Sequence, residues 1–169
     1  VGSAATYEQL VAQDLGWAMT EGSLFFEGGG AVQETLRRIT ARLDELGVDY
    51  AIAGGMALFV HGFRRFTEDV DILVTSDGLK RLHRELDGRG YVPPFERSKN
   101  LRDTETKVKI KFLVANQYPG DGKPKAVAFP DPSQVFEIRD GIKVLNLPTL
   151  VTVKLASGIS GGPDRAKDL

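Results

Sequence analysis

Asp69 and Asp71 stand two apart in the stretch Arg65-Phe66-Thr67-Glu68-Asp69-Val70-Asp71-Ile72-Leu73-Val74. Side chains alternate along an extended strand, so both carboxylates leave one face while Val70 and Ile72 leave the other. Upstream, the apolar run Tyr50-Ala51-Ile52-Ala53 feeds directly into Gly54-Gly55. Glycines there let the backbone come close to a phosphate and turn its N–H groups toward it. Paired acids beside such a turn suit a magnesium ion carrying a nucleoside triphosphate. Mg²⁺ takes a few carboxylates and fills its shell with phosphate oxygens and water, and a pair of such ions can clamp the attacking and leaving oxygens of a phosphoryl displacement. Taken singly, the glycines read as a turn and the acids as the wet face of a strand. Taken together, two like charges on one face require a cation to answer them.

The elements that would hold these residues can be placed from periodicity and punctuation. Gly28-Gly29-Gly30 separates an N-terminal arm, residues 1–30, from a domain over residues 31–169, and the first 27 residues of the arm are expected to carry one amphipathic helix at most. Val32, Leu36, Ile39, Leu43 and Leu46 recur at helical spacing, with Gly47 placed to end the helix. Tyr50–Ala53 is a buried strand and Met56–His61 a short helix. After the aspartate strand, Ser76 is positioned to cap a helix whose Leu79, Leu82 and Leu86 point inward. From Lys107 to Val114 the alternation is clear, with Val108, Ile110, Phe112 and Val114 on one side and Lys107, Lys109 and Lys111 on the other. Arg139-Asp140-Gly141 reads as the turn of a hairpin, and Pro148 opens a helix that Gly158 to Pro163 should break. The fold class expected is α+β, with a small mixed sheet and helices packed mainly on one face.

The order apolar-Gly-Gly, then Arg65-x-Thr67-x-Asp69-apolar-Asp71, resembles the signature of the nucleotidyltransferase superfamily that includes DNA polymerase β. Its wording is most similar to the AbiEii/AbiGii toxin-type bacterial nucleotidyltransferases, and the resemblance runs from about Leu36 to Val114. It implies that Asp69 and Asp71 hold Mg²⁺, with Mn²⁺ as a substitute, and that Gly54, Gly55, Arg65 and Thr67 face the nucleotide. Lys154 followed by Arg165-Ala166-Lys167-Asp168 is similar to the family's C-terminal element, which implies phosphate-positioning roles for Lys154, Arg165 and Lys167. The reaction implied moves a nucleoside monophosphate from a nucleoside triphosphate to an acceptor hydroxyl and releases pyrophosphate. The toxin-type relatives imply tRNA or another RNA as acceptor and an antitoxin protein as partner.

One position departs from the pattern. Active members of the superfamily place a third carboxylate on a neighbouring strand, and the apolar pattern Val-Lys-Ile-Lys-Phe-Leu-Val puts Lys111 there. A charged lysine cannot ligate magnesium, and beside two aspartates it tends to stay charged. Glu105 shares the parity of Lys111 but lies roughly 20 Å away at about 3.3 Å per residue, too far to share a metal. The sequence leaves three readings: an enzyme with a single, weaker metal site, a nucleotide- or partner-binding relative without chemistry, or an altered residue.

Composition bounds the rest. The 169 residues are 41% hydrophobic and 27% charged, enough for a substantial core. The absence of cysteine rules out disulfides and thiolate zinc sites. A formal net charge of −1 means that any affinity for nucleic acid must come from a local patch. No apolar stretch reaches membrane-spanning length, so the expectation is a cytoplasmic protein without membrane contact. His61 and His83 have no second histidine or cysteine at ligand spacing and read as structural.

Overall fold

The structure, a computed structural model, describes residues 5–119 and 121–160, with side chains through residue 157. Three helices lead: α1 (Tyr7–Gln13), α2 (Leu15–Phe26) and α3 (Gly30–Leu46). Then come β1 (Tyr50–Ala53), α4 (Gly54–Val60), β2 (Asp69–Val74), α5 (Ser76–Leu86), β3 (Tyr91–Val92), β4 (Leu101–Asp103) and β5 (Lys109–Val114). The hairpin β6 (Phe136–Arg139) and β7 (Ile142–Leu145) precedes α6 (Leu147–Ser160).

The N-terminal stretch forms two helices where at most one was expected. Asp14 is the reason: its backbone closes α1 and its side chain accepts the N–H of Trp17 to open α2, so the helical phase restarts in mid-segment. Thr6 and Gln9 form a reciprocal capping box at the start of α1. Tyr7 and Phe25 are both 1% exposed. Tyr7 meets Trp17 edge-on at 5.2 Å, and Phe25 meets Phe59 at 4.8 Å and Phe66 at 5.2 Å. These aromatic contacts tie the first two helices to α4 and to the segment leading into β2.

Helix α3 follows its predicted stripe. Val32, Leu36, Ile39 and Leu43 are buried, and Gly47 ends the helix at φ +66°, a conformation that favours glycine. The seven strands form one mixed sheet in the order β3-β4-β5-β2-β1-β7-β6. β2 runs antiparallel to β1 and parallel to β5, and β7 runs parallel to β1. One row of the sheet is Ile52, Ile72 and Phe112, with Val144 beyond Ile52, all buried. Helix α3 packs against β2, and His83 of α5 touches the Phe112 ring, so this apolar face lies under both helices. Burying each such aliphatic or aromatic side chain is worth about 1.5–3 kcal/mol.

Local differences from the expected elements each have a cause. Thr75, not Ser76, caps α5, its hydroxyl accepting the N–H of Gly78 at 3.0 Å. Strand β5 starts at Lys109 and not at Lys107, because Lys107 sits at φ +65° in a tight loop. That loop is organised by Asp103, which is fully buried and accepts the N–H groups of Glu105 and Thr106 and a bond from Arg38. Strand β4 was not anticipated, since three residues are too few to show a period. The β6–β7 turn has Asp140 at φ +52° and Gly141 at φ +78°, the double positive-φ turn that suits a two-residue hairpin. Helix α6 continues through Gly158 to Ser160, into the stretch expected to break it, whose later residues lie outside the described ones. Among the described residues no helix is long and apolar enough to cross a membrane.

Candidate active site

The other sheet face carries the polar residues. Ala53 of β1 pairs with Asp71 of β2, and Asp71 pairs with Lys111 of β5, while Asp69 pairs with Lys109 one step along. Because alternate residues share a face, Asp69, Asp71, Lys109 and Lys111 all rise on the same side. The apolar rows underneath fix that side: a slip of one residue would turn Val70 and Ile72 out and the aspartates in.

Gly54 follows Ala53 at φ +62°, and a β-carbon there would collide with the Asp71 carboxylate, whose Cγ would be 2.8 Å away. Only glycine fits both the backbone angle and the space. Gly55 is held less tightly, since a β-carbon on it would lie 3.0 Å from the hydroxyl of Thr67. Thr67 in turn donates weakly to the carbonyl of Asp69 at 3.4 Å. The glycine turn and the aspartate strand are therefore built against each other, with Thr67 and Asp71 as the contacts.

The two carboxylates are not equivalent. Asp69 is a third exposed and takes an ion pair from Lys111, Nζ to Oδ2, at 3.6 Å. Asp71 is deeper, and its Oδ1 is sealed from solvent without a hydrogen-bond partner. Burial, and then the neighbouring Asp69 charge, push the Asp71 carboxyl up to about 6, while Lys111 and Lys154 pull it the other way. Burial followed by the Asp69 charge also raises Glu68 above the usual carboxylate range.

Asp71 and Gly54 open into a cleft of about 450 Å³. Lys99, Lys111 and Lys154 supply its cations, and Leu113, Phe129, Leu150 and Val153 supply apolar wall. Asn100 lines it too, anchored by accepting the N–H of Phe112 at 3.0 Å. Lys99, Asn100 and Phe129 escaped the sequence reading. They sit in irregular segments beside β4 and after β5, where no spacing marks them.

Of the residues singled out from sequence, Gly54, Asp69, Asp71, Lys111 and Lys154 come together, with Gly55 and Thr67 directly behind. Arg65 is exposed and does not line the cleft. Arg165 and Lys167 lie outside the described residues. Glu105 is occupied with Arg38 at 3.0 Å. His61 is a packing residue, bonded to the carbonyl of Leu145 at 2.8 Å and 3.5 Å from Glu137. His83 bonds the carbonyl of Lys99 at 2.6 Å.

The site offers oxygen donors for a hard cation. An orphaned, buried carboxylate oxygen on Asp71 beside the half-open Asp69 fits Mg²⁺ bound jointly with phosphate oxygens and water. Among the described residues no group of three or more histidines, cysteines or carboxylates could hold a metal.

A mixed sheet bearing a glycine turn and paired aspartates on one face is the nucleotidyltransferase arrangement. The chain belongs to the aminoglycoside-2''-adenylyltransferase family, whose sequence profile matches residues 35–145. Among solved structures it is similar to a Thermotoga maritima protein described provisionally as a nucleotidyltransferase. The two are 18% identical, the match covers 80% of this chain and 88% of that one, and the TM-score is 0.58. It also matches ANT(2'')-Ia in complex with adenylyl-2''-tobramycin, at 10% identity over 79% of this chain and 83% of that one, with a TM-score of 0.48. No curated protein matches the chain in sequence.

Proposed function

We propose that this protein transfers a nucleoside monophosphate from a nucleoside triphosphate to an acceptor hydroxyl and releases pyrophosphate. The observation that carries the reading is the junction of Gly54 with Asp71: a left-handed glycine lies against a carboxylate that keeps one buried oxygen unpartnered. A side chain at Gly54 would fill the space beside the Asp71 carboxylate, so glycine keeps the turn bare there. It leaves room for phosphate oxygens to reach the turn and the carboxylates at once.

Asp69 and Asp71 would hold Mg²⁺, or Mn²⁺ in its place, and the ion would supply charge neutralisation at the triphosphate. The backbone at Gly54 and Gly55 lies within reach of the phosphates. Lys154, whose charge already acts on Asp71, offsets the phosphate charge, and Lys99 extends the cationic wall. Thr67 braces the turn. Arg65, Arg165 and Lys167 are assigned to the phosphates on the family pattern alone. In the reaction the acceptor oxygen bonds to the α-phosphorus, the bond from that phosphorus to the bridging oxygen breaks, and pyrophosphate leaves with the electron pair. The acceptor proton passes to solvent, since Lys111 stands where a third carboxylate would take it.

The acceptor is inferred from charge. Lys99, Lys111 and Lys154 outnumber the site acids Asp69 and Asp71 by one, and that excess leans toward a phosphate-bearing acceptor such as a tRNA end or other RNA over the polycationic aminoglycosides of the family's description. The toxin-type resemblance of Arg65-x-Thr67-x-Asp69-x-Asp71 supports the same direction, with an antitoxin as partner. Incubating the protein with each nucleoside triphosphate, Mg²⁺, and either RNA or tobramycin tests this. Pyrophosphate release with labelled RNA supports the reading, and labelled tobramycin alone refutes its acceptor.

A second reading has one specific observation in its favour. The 3.6 Å pair of Lys111 with Asp69 neutralises one of the two acids in place, which suits a nucleotide- or partner-binding relative without turnover. Nucleotide binding indifferent to Mg²⁺, with no pyrophosphate released, would select it.

A further inference from the structure

A second cleft, of about 340 Å³, lies between α3, α4 and the β6–β7 turn. It shares no lining residue with the aspartate cleft. Ile52 lines this one and Ala53 the other, and as neighbours on β1 they point to opposite faces, so the sheet separates the two. The floor is apolar: Leu36, Ile52, Met56 and Val144 are buried core residues that nonetheless border the opening. The rim is cationic, with Arg37 from α3, Arg64 after α4 and Arg139 from the hairpin, against the single acid Asp140.

The arginines of α3 show how unusual that rim is. Arg38 is paired with Asp103 at 3.1 Å and with Glu105 at 3.0 Å, and Arg42 is paired with Glu45 at 3.3 Å. Among the described residues Arg37 has no carboxylate within 4.0 Å. It is held instead by the carbonyl of Gly28, to which Nη1 donates at 3.0 Å. Arg64 likewise has no acid partner and lies over the Phe59 ring at 5.5 Å. Arg139 is tethered by Glu137 at 3.1 Å. Two guanidinium groups thus stand on the edge of an apolar cavity without an ion-pair partner among the described residues. A guanidinium presents a fork of N–H donors that matches phosphate or carboxylate, and a cavity of this size lies in the small-ligand range.

We propose that this cleft is a binding site for a small organic anion, an apolar body carrying a phosphate or carboxylate group. The body rests on Ile52, Met56 and Val144, and the anionic group is held by Arg37 and Arg64. The site goes beyond nucleotidyl transfer and stands whether or not that activity is found.

Fluorescence titration of the whole chain with anilinonaphthalene sulfonate, alongside its neutral relative phenylnaphthylamine, tests the proposal. The expected result is saturable one-to-one binding of the anionic probe, about tenfold tighter than the neutral one, as one charge-assisted hydrogen bond would give. Arg37→Ala and Arg64→Ala, both at exposed positions, should each remove most of that preference, and Lys99→Ala in the other cleft should not change it. Naphthyl phosphate and naphthoate, added as competitors, identify the preferred anionic group by whichever displaces the probe. Equal affinity for the neutral probe, full binding in the arginine variants, loss in Lys99→Ala, or displacement by neither competitor would overturn the assignment.

Discussion

Lys111 stands directly across the β2–β5 ladder from Asp71, yet its ammonium pairs diagonally with Asp69 at 3.6 Å. The more exposed acid thus receives the cation, and the buried acid is left with an unpartnered oxygen. Lys111→Asp would replace that cation with a third acid. The free protein should then melt at a lower temperature through like-charge repulsion, with Mg²⁺ restoring it. Metal-dependent pyrophosphate release should rise about a hundredfold, the lower range for a positioned proton acceptor. A fall in turnover together with lost nucleotide binding would mark Lys111 as a phosphate ligand instead.

Gly54→Ala strains the chain twice, through the φ of +62° and through the collision with Asp71. Backbone strain of this kind costs about 1–3 kcal/mol. Thermal unfolding should show that loss, and nucleotide affinity should fall with it. Unchanged melting and binding would mean that the turn has more room than its geometry indicates.

Burial, and then the Asp69 charge, push the Asp71 carboxyl up to about 6. An acid with a raised folded-state value takes up a proton on folding between its unfolded value and that figure, so stability falls as pH rises through this window. Asp71→Asn removes the penalty. The variant should melt several degrees above the wild type at pH 8, and the difference should vanish below about pH 4, where the carboxyl is neutral in both states. A constant difference across the range would contradict the assignment.

Asp103 is fully buried and holds Arg38, Thr35 and two backbone N–H groups at the β4–β5 junction. Asp103→Ala should cost about 3–5 kcal/mol by breaking a buried charged network. Denaturant unfolding measures this, and a loss below about 1 kcal/mol, within the ordinary range for a surface pair, would contradict it.

The sheet was legible where two signals agreed. At Asp69–Val74 and Lys109–Val114 the period-two pattern marks the polar face, and the superfamily resemblance puts Lys111 beside the aspartates, so the row Asp71–Lys111 was legible from both together. Gly47 and the Asp140-Gly141 turn were readable because their backbone angles demand those residues. The second N-terminal helix was not, since Asp14 serves both neighbours and the boundary leaves no gap. Lys99, Asn100 and Phe129 could not be read at all, because tertiary folding alone carries their irregular segments to the cleft. Arg65 is exposed and outside the cleft lining, so its place at the phosphates rests on the motif, which fixes order along the chain but not direction in space.

Gly54, Asp69 and Asp71 are proposed to seat a metal-bound triphosphate together. The deciding experiment is isothermal titration with a non-hydrolysable nucleoside triphosphate, with and without Mg²⁺, on the wild type and on Asp69→Asn and Asp71→Asn. One-to-one binding that needs the metal and fails in both variants is the predicted result. Binding that ignores the metal, or that survives both substitutions, would contradict it.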